Sequence, residues 1–491
     1  VSGTFFGHPR GLATLFFTEM WERFTYYGMR ALLILFLVGA VSSGGFGLDD
    51  KTATAIYGLY TASVYLAGLP GGWIADRLIG ARTAIIAGGL LIAFGNGVLA
   101  LAVGLHQFYA GLAFIVLGVG LLKPNVSAVV AELYPEGGAR RDAGFTVFYV
   151  GINIGSTFGP IVTGAAQQAF GPRAGFAAAG VLMLFGVLQF VLTRRHLGGA
   201  GALTAASAAA PGRRALWMRL WTAVAAGVAL FAACNLGWIE VNPVGLARAT
   251  TVVIVAMAAL YFLYYFFAAD LDAVERRRGV VLVVLFVSSA MFWSGFEQAG
   301  SSLNLFAERY TDRVIDALHL TVPTGFFQSL NPAFIIIFAP VFAWIWVAAA
   351  RRHLNPSAPA KFALGLILMG VGFLVMAGAA GIVAAGSKVL PWWLISTYLF
   401  LTFGELCVSP VGLSFYTKLA PKRFVGQMMG VWFLALSLGN LVAGQLAGEF
   451  DPAHVAAMPG QYLHIVYFAA GFGVLLLLIS GPVKKLMGNV E

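Results

Sequence analysis

Fourteen long apolar runs, separated by short polar turns, constrain this chain more than any other feature. They fall near residues 11–39, 50–75, 82–103, 107–131, 141–168, 173–194, 215–238, 249–269, 278–306, 323–350, 361–385, 389–417, 424–447 and 461–483. A bilayer core takes roughly 20 apolar residues as a helix. In lipid, every backbone N–H and C=O must find its partner inside the segment or a closed barrel. The expected fold is therefore an all-α integral membrane protein with 14 transmembrane helices. Only 10% of residues are charged, against roughly 25% in a soluble domain, and the mean hydropathy is +0.86. Lipid, not water, solvates most of this surface. The 61 glycines fit that setting, because glycine lets helices approach closely where no hydrophobic effect drives them together.

A net charge of +10 on a soluble protein would point to nucleic acid. Here it has a topological explanation, and no nucleic-acid partner is expected. If the N-terminus is cytoplasmic, the basic clusters Arg77/Arg82, Arg140/Arg141, Arg194/Arg195, Arg213/Arg214, Arg276–Arg278 and Arg351/Arg352 all fall on the cytoplasmic side. Only Lys51, Arg173, Arg248, Arg309, Arg313 and Lys388 fall outside, while Arg23, Arg30 and Lys123 lie within spans. By the positive-inside rule this bias sets orientation, and an odd number of spans would spoil it. Both termini are expected in the cytoplasm of a multi-pass cell (inner or plasma) membrane protein. The sequence begins at Val1, and no cleavable signal peptide is expected before Gly7-His8-Pro9-Arg10.

Along the chain, a Gly-, Ala- and Ser-rich stretch from Leu197 to Gly212 reads as a linker. The two runs after it carry almost no polar residues at mid-depth and look peripheral. Setting them aside leaves six spans and six more, the arrangement of transporters that rock two bundles around a midplane site. The expected divisions are 1–196, a first six-helix bundle; 197–277, the linker and two additional helices; and 278–491, a second six-helix bundle.

The strongest chemical signal lies in the first span, Glu19-Met20-Trp21-Glu22-Arg23-Phe24-Thr25-Tyr26-Tyr27-Gly28-Met29-Arg30. At about 100° per residue, Glu19, Glu22, Arg23, Tyr26, Tyr27 and Arg30 share an arc of roughly 140°, with Trp21, Phe24 and Met29 outside it. Each charge at the bilayer centre costs at least ~2.5 kcal/mol, so these groups must face partners or a wet cavity. One such pair could be glue between helices; this many on one face favours function.

Other spans supply matching groups. Lys123, in Gly118-Val119-Gly120-Leu121-Leu122-Lys123-Pro124-Asn125, is too deep to snorkel easily. Trp293 and Glu297 share a helical face, with Ser301 and Asn304 expected to continue it. Glu405 and Ser409 are a similar i, i+4 pair, Asn331-Pro332 is expected to interrupt the span near 323–350, the eighth once the two peripheral runs are set aside, and Tyr149, Asn153 and Ser156 decorate the fifth. Asn153 reads equally as interhelical glue. A cavity lined by both acidic and basic groups suits a zwitterion. Cations would take its carboxylate and carboxylates its ammonium.

Several features carry no chemistry. Asn125-Val126-Ser127 matches a glycosylation pattern but lies within a span. Cys234 and Cys407 offer no spaced pair, His106, His319, His454 and His464 are scattered, and neither set makes a metal site. Glu132 and Lys418, at cytoplasmic helix ends, fit gate pairing or ordinary interfacial placement equally.

Glu19-x-x-Glu22-Arg23-Phe24-x-Tyr26-Tyr27-Gly28, Phe148-Tyr149-x-x-Ile152-Asn153-x-Gly155-Ser156, Phe327-Gln328-x-x-Asn331-Pro332 and Gly404-Glu405-Leu406 closely resemble the proton-dependent oligopeptide transporters. The turn Gly72-x-x-x-Asp76-Arg77-x-x-Gly80-x-Arg82 resembles the helix 2–3 motif of the wider major facilitator superfamily; its residues read as structural bracing. The resemblance implies the major facilitator fold, two six-helix bundles plus two extra central helices, and import of di- and tripeptides with protons. It implies no cofactor and no enzymatic chemistry, the proton gradient being the driver, and the chain is expected to work as a monomer.

By the same resemblance, Glu19, Glu22, Arg23 and Glu297 couple protons, with Glu297 able to pair with Arg30. Glu405, with Asn331, Ser409 and Asn153, receives the peptide ammonium. Arg23, Arg30 and Lys123 attract its carboxylate, and Tyr27, Tyr65, Trp293 and Trp432 shape side-chain pockets. Nitrate or peptide-like drugs are the nearer alternatives, and nitrate would leave Glu405 without a partner. A membrane-embedded enzyme is the remote one, since no nucleophile–base pair or metal cluster accompanies the carboxylates.

Overall fold

The structure, a computed structural model, describes residues 4–136, 138–204, 207, 209, 211–316, 319–352, 354 and 356–488. Of the Leu197–Gly212 linker, residues 205, 206, 208 and 210 lie outside the described residues.

The apolar runs become helices. In chain order these are α1 (Arg10–Val38), α2 (Asp50–Ile74), α3 (Ala81–Leu101), α4 (Leu105–Glu132), α5 (Gly138–Phe170), α6 (Pro172–Thr193), α7 (Arg213–Asn235) and α8 (Pro243–Ala268). There follow α9 (Ala273–Phe296), α10 (Ser302–Tyr310), α11 (Leu330–Arg351), α12 (Ala358–Ala384), α13 (Trp392–Leu419), α14 (Val425–Ala447) and α15 (Met458–Met487). Among the described residues, 12 helical stretches are long and apolar enough to cross a membrane, with α9 and α10 forming one of them, Ala273–Tyr310. The other two spans of the expected fourteen are α1, of 29 residues, and α2, of 25, which carry more charged and polar side chains.

Local chemistry explains where helices begin and turn. Asp272 caps α9 by accepting the Val274 and Glu275 N–H groups, both at 2.7 Å, while Glu275 reaches back to the Asp272 N–H at 3.2 Å. This reciprocal box satisfies donors that the first turn cannot pair internally. Between α5 and α6 the chain reverses at Gly171, whose φ of +97° only glycine adopts without strain, and Pro172 then opens α6 where a missing N–H costs nothing.

The chain forms two contact units. The first comprises Val1–Gly47 and Ser63–Asn242, and the second Leu48–Ala62 and Pro243–Glu491. In the first, α1 packs on α5 almost backbone to backbone: a Cβ on Gly155 or Gly159 would run into the Met20 or Phe24 carbonyl. Gly88 of α3 meets Gly118 of α4 in the same way. Dispersion between closely packed backbones and side chains is what holds helices together in lipid. In the second unit, Gly58 of α2 lies against Gly444 of α14, and Gly365 of α12 against Gly404 of α13. Asp50 at the start of α2 receives both terminal guanidinium nitrogens of Arg309, at 2.5 and 2.7 Å. The helix α7, by contrast, buries none of its residues.

The described part of the Gly/Ala-rich linker is tied down. Arg82 donates from Nε to the Ala200 carbonyl at 2.6 Å and from Nη2 to the Gly198 carbonyl at 2.5 Å, and its own N–H reaches the Gly201 carbonyl at 3.0 Å. Glu132 accepts the Gly201 N–H at 2.7 Å, and Arg213 donates to the Leu78 carbonyl at 2.8 Å. Small side chains leave the linker backbone open to these long charged ones. Arg82 of the helix 2–3 motif is thus spent on linker carbonyls, and Glu132 on a linker amide.

Candidate functional site

In the first unit the charged residues in the middle of α1 sit deep inside, while Arg10 at its start is exposed. Glu19 is 2% exposed, Glu22 0%, Arg23 4% and Arg30 5%. Burial alone does not pick out a polar face, because Met29, on the opposite side, is equally hidden. What distinguishes the stripe is pairing. Arg23 Nε lies 3.1 Å from a Glu19 carboxylate oxygen and in direct contact with Glu22, so a single guanidinium serves two carboxylates. A charge-assisted pair of this kind is among the stronger contacts available away from water, and stripping away its cation would leave two carboxylates buried.

Aromatic rings flank the same stripe. The Arg23 guanidinium lies 5.3 Å from the Tyr26 ring centroid and that of Arg30 lies 5.6 Å from Tyr27, both within the range of cation–π attraction. Lys123 on α4 places its ammonium 4.8 Å from the Tyr65 ring and within electrostatic reach of Glu19. Tyr27, Tyr65 and Lys123 are each only partly buried. Asn153 of α5 is buried and donates to its own helix, to the Tyr149 carbonyl at 2.9 Å.

The second unit organises its groups differently. Glu297 lies where α9 gives way to a 3₁₀ turn, Glu297–Gly300, before α10 resumes at Ser302. The face expected to run from Trp293 through Glu297 to Ser301 and Asn304 is therefore broken: Ser301, with φ −120° and ψ −94°, is not helical. Unwinding frees backbone groups, which inside a membrane must be re-paired by the protein. Gln328 does this, donating to the Ala299 carbonyl at 2.5 Å, and the Tyr398 hydroxyl donates to the same carbonyl at 3.1 Å.

Asn331-Pro332 also differs from expectation. It opens α11 after a 3₁₀ turn, Thr324–Ser329, and does not interrupt a helix midway. In a first turn the missing proline N–H would be unpaired in any case. That position lets Asn331 Nδ2 reach Glu405 Oε2 at 2.8 Å and Thr402 Oγ1 at 3.0 Å on α13. Ser409 follows one turn beyond Glu405. Trp293 is buried between Phe296 and Gly439, and Trp432 packs on Tyr416 and against Gly412.

Sequence reading missed Thr402 and Tyr398 and quoted Gln328 only as part of a pattern. A signal existed. Tyr398, Thr402, Glu405 and Ser409 recur at helical spacing and share one face of α13. Among the described residues, no group of three or more His, Cys, Asp or Glu could hold a metal ion.

Comparison with known proteins places the chain in a family. The POT family profile matches residues 82–462. The chain belongs to the POT family. It is 41% identical over 497 residues to the peptide transporter YePEPT of Yersinia enterocolitica subsp. palearctica, covering 99% of this chain and 97% of that one. It is 36% identical over 500 residues to the di-/tripeptide transporter of Lactococcus lactis subsp. lactis, covering 99% and 98%. A solved POT peptide transporter variant in complex with alafosfalin superposes with a TM-score of 0.89 at 40% identity, covering 99% of this chain and 98% of that one. This POT member is thus a multi-span membrane transporter, not an enzyme.

Proposed function

We propose that this POT-family chain is a proton-coupled symporter that imports di- and tripeptides by alternating access, from the inner or plasma membrane, with both termini cytoplasmic. The observation that carries the reading is the buried Glu19–Arg23–Glu22 cluster in a chain 41% identical, end to end, to a peptide transporter. In this reading Glu19, Glu22 and Arg23 couple protons together with Glu297, which pairs with Arg30 in one state. Arg23, Arg30 and Lys123 draw the peptide carboxylate. Glu405, with Asn331, Ser409 and Asn153, draws its ammonium, and Tyr27, Tyr65, Trp293 and Trp432 shape the side-chain pockets. The invariant part of any dipeptide is its backbone and termini, so fixed charges read those while apolar walls tolerate many side chains.

Coupling follows from pairing. A carboxylate held by an arginine stabilises one arrangement, and its protonation removes the charge that stabilises it, biasing a two-state motion. We assign the division 1–196, 197–277 and 278–491 to two moving bundles and an intervening module, and take the monomer as the working unit. No bound cofactor enters the cycle.

Uptake of labelled dialanine into proteoliposomes, with and without an inward proton gradient, tests the proposal. Gradient-stimulated accumulation is expected, and its absence overturns the reading. Glu297→Gln is expected to abolish gradient-driven uptake yet keep gradient-free peptide exchange; loss of both would instead mean failure of binding or folding, and undiminished gradient-driven uptake would remove Glu297 from the coupling role. Peptide-like compounds are a second reading, favoured by the alafosfalin held in the similar structure, and competition against dialanine uptake measures it.

A further inference from the structure

Within the second unit, α9, α12, α14 and α15 leave a cavity of about 500 Å³ between them. Its floor is apolar and buried, formed by Gly295, Met369, Ile465 and Ala469. Phe468, 75% exposed, stands at its rim on the outward side of α15. A second groove of about 470 Å³, between α8, α9 and α14, shares Met291, Ser294 and Val442 with the first. The two therefore meet as one channel along α9.

Three properties of this channel define an occupant. The first is length. From Gly295 back to Val283, both of which line it, α9 rises about 18 Å at 1.5 Å per residue. Half of a hydrocarbon core roughly 30 Å thick is about 15 Å. The channel is as long as one leaflet is deep.

The second is dryness. Away from the α14–α15 connection its polar side chains, Ser294 and Thr251, are already satisfied: Ser294 donates to the Met291 carbonyl at 2.7 Å, and Thr251 donates to the Ala247 carbonyl at 2.9 Å while accepting from Gln445 at 2.7 Å. Water needs two to four polar partners to stay in such a space, and the channel offers methyl, methylene and ring surfaces instead. An apolar void left empty forfeits dispersion contacts along its whole lining.

The third is polarity at one end only. Glu449 and His464, both exposed, lie at the end that carries the α14–α15 connection, and Gln461 Nε2 fastens that end by donating to the Glu449 carbonyl at 2.7 Å. At the far end stand Phe262 and Val283. A carboxylate and an imidazole at the same end of the cavity complement a headgroup that carries both an ammonium and a phosphate.

We propose that this channel is a binding site for one phospholipid of the aminophospholipid class. One acyl chain fills the groove between α8, α9, α14 and α15, the ammonium meets Glu449, and the phosphate meets His464. The site is separate from the residues assigned to transport.

Native mass spectrometry of the full chain in detergent, titrated with dioleoyl phosphatidylethanolamine or dioleoyl phosphatidylglycerol, tests it. One phosphatidylethanolamine should be held about tenfold more tightly than phosphatidylglycerol, a difference of about 1.4 kcal/mol. Val442→Trp, at the wall common to both grooves, should lose the bound lipid. Glu449→Gln, a surface change that leaves the fold alone, should keep one lipid per chain but lose the preference between headgroups. Equal retention of the two lipids by the parent chain, an unchanged preference in Glu449→Gln, or undiminished retention in a folded Val442→Trp would overturn the proposal. So would displacement of the lipid by the detergent itself at working concentration.

Discussion

The two units face one problem, buried charge in a membrane helix, and meet it by opposite means. In α1 the helix stays whole over 29 residues and the side chains do the pairing, with Arg23 between Glu19 and Glu22. In α9 the helix itself gives way at Glu297, and side chains from elsewhere, Gln328 and Tyr398, repair the backbone. Packing differs in step. The whole helix α1 lies against α5 with glycines at the contact, whereas α9, which meets α14 closely at Gly439, is bordered on another side by a cavity of about 500 Å³. A continuous helix keeps its backbone paired within itself, while a broken one changes direction and needs partners from elsewhere.

The largest test of that contrast is Arg23→Ala, which strands two buried carboxylates. We expect a loss of about 3–5 kcal/mol of stability, read as a lowered thermal midpoint in detergent, together with loss of gradient-driven uptake. A variant as stable as the parent would mean that side-chain pairing does not hold α1. Next comes packing. Gly155→Ala should cost about 1–3 kcal/mol by forcing α1 from α5, whereas Gly471→Ala, whose added methyl meets nothing within 4 Å, should be neutral or slightly stabilising. Equal effects would show that the close approach of α1 to α5 at Gly155 does not hold α1 in place.

Gln328→Leu probes the backbone repair. It leaves the Ala299 carbonyl with Tyr398 alone and should cost about 1–3 kcal/mol, with faster hydrogen exchange confined to residues near 297–302. No change there would show that the break needs no repair. The smallest effect is expected outside the membrane, at Asp451. The hydrogen bond from His454 at 2.7 Å, aided by the Ala453 N–H, holds its carboxyl below the usual carboxylate range. A depressed carboxyl stabilises the fold above its unfolded pKa, and that contribution is lost as pH falls through the folded value. Asp451→Asn should thus lower the thermal midpoint only marginally at pH 7, with the gap closing below about pH 4. A large effect would contradict the view that exposed pairs contribute little beside buried ones.

Much of this molecule was legible from its residues. Apolar length sets the spans, because hydrocarbon leaves a backbone no choice but to pair with itself, and the stripe Glu19–Arg30 stood out because charge in a span is too costly to be idle. Spacing rules failed where helices stop being regular. The face drawn from Trp293 to Asn304 assumed an unbroken helix, and the interruption expected at Asn331-Pro332 proved to be a helix start. In both places the deciding partners, Gln328 for Ala299 and Thr402 with Glu405 for Asn331, come from remote parts of the chain.

By itself, then, the sequence determined that the chain spans a membrane and which side chains must find partners there, since both follow from transfer energies that each residue carries wherever it sits. Only the tertiary structure decided who those partners are, where a helix breaks to meet them, and where packing leaves a groove. Those depend on side chains brought together from distant helices, and no local periodicity encodes that meeting.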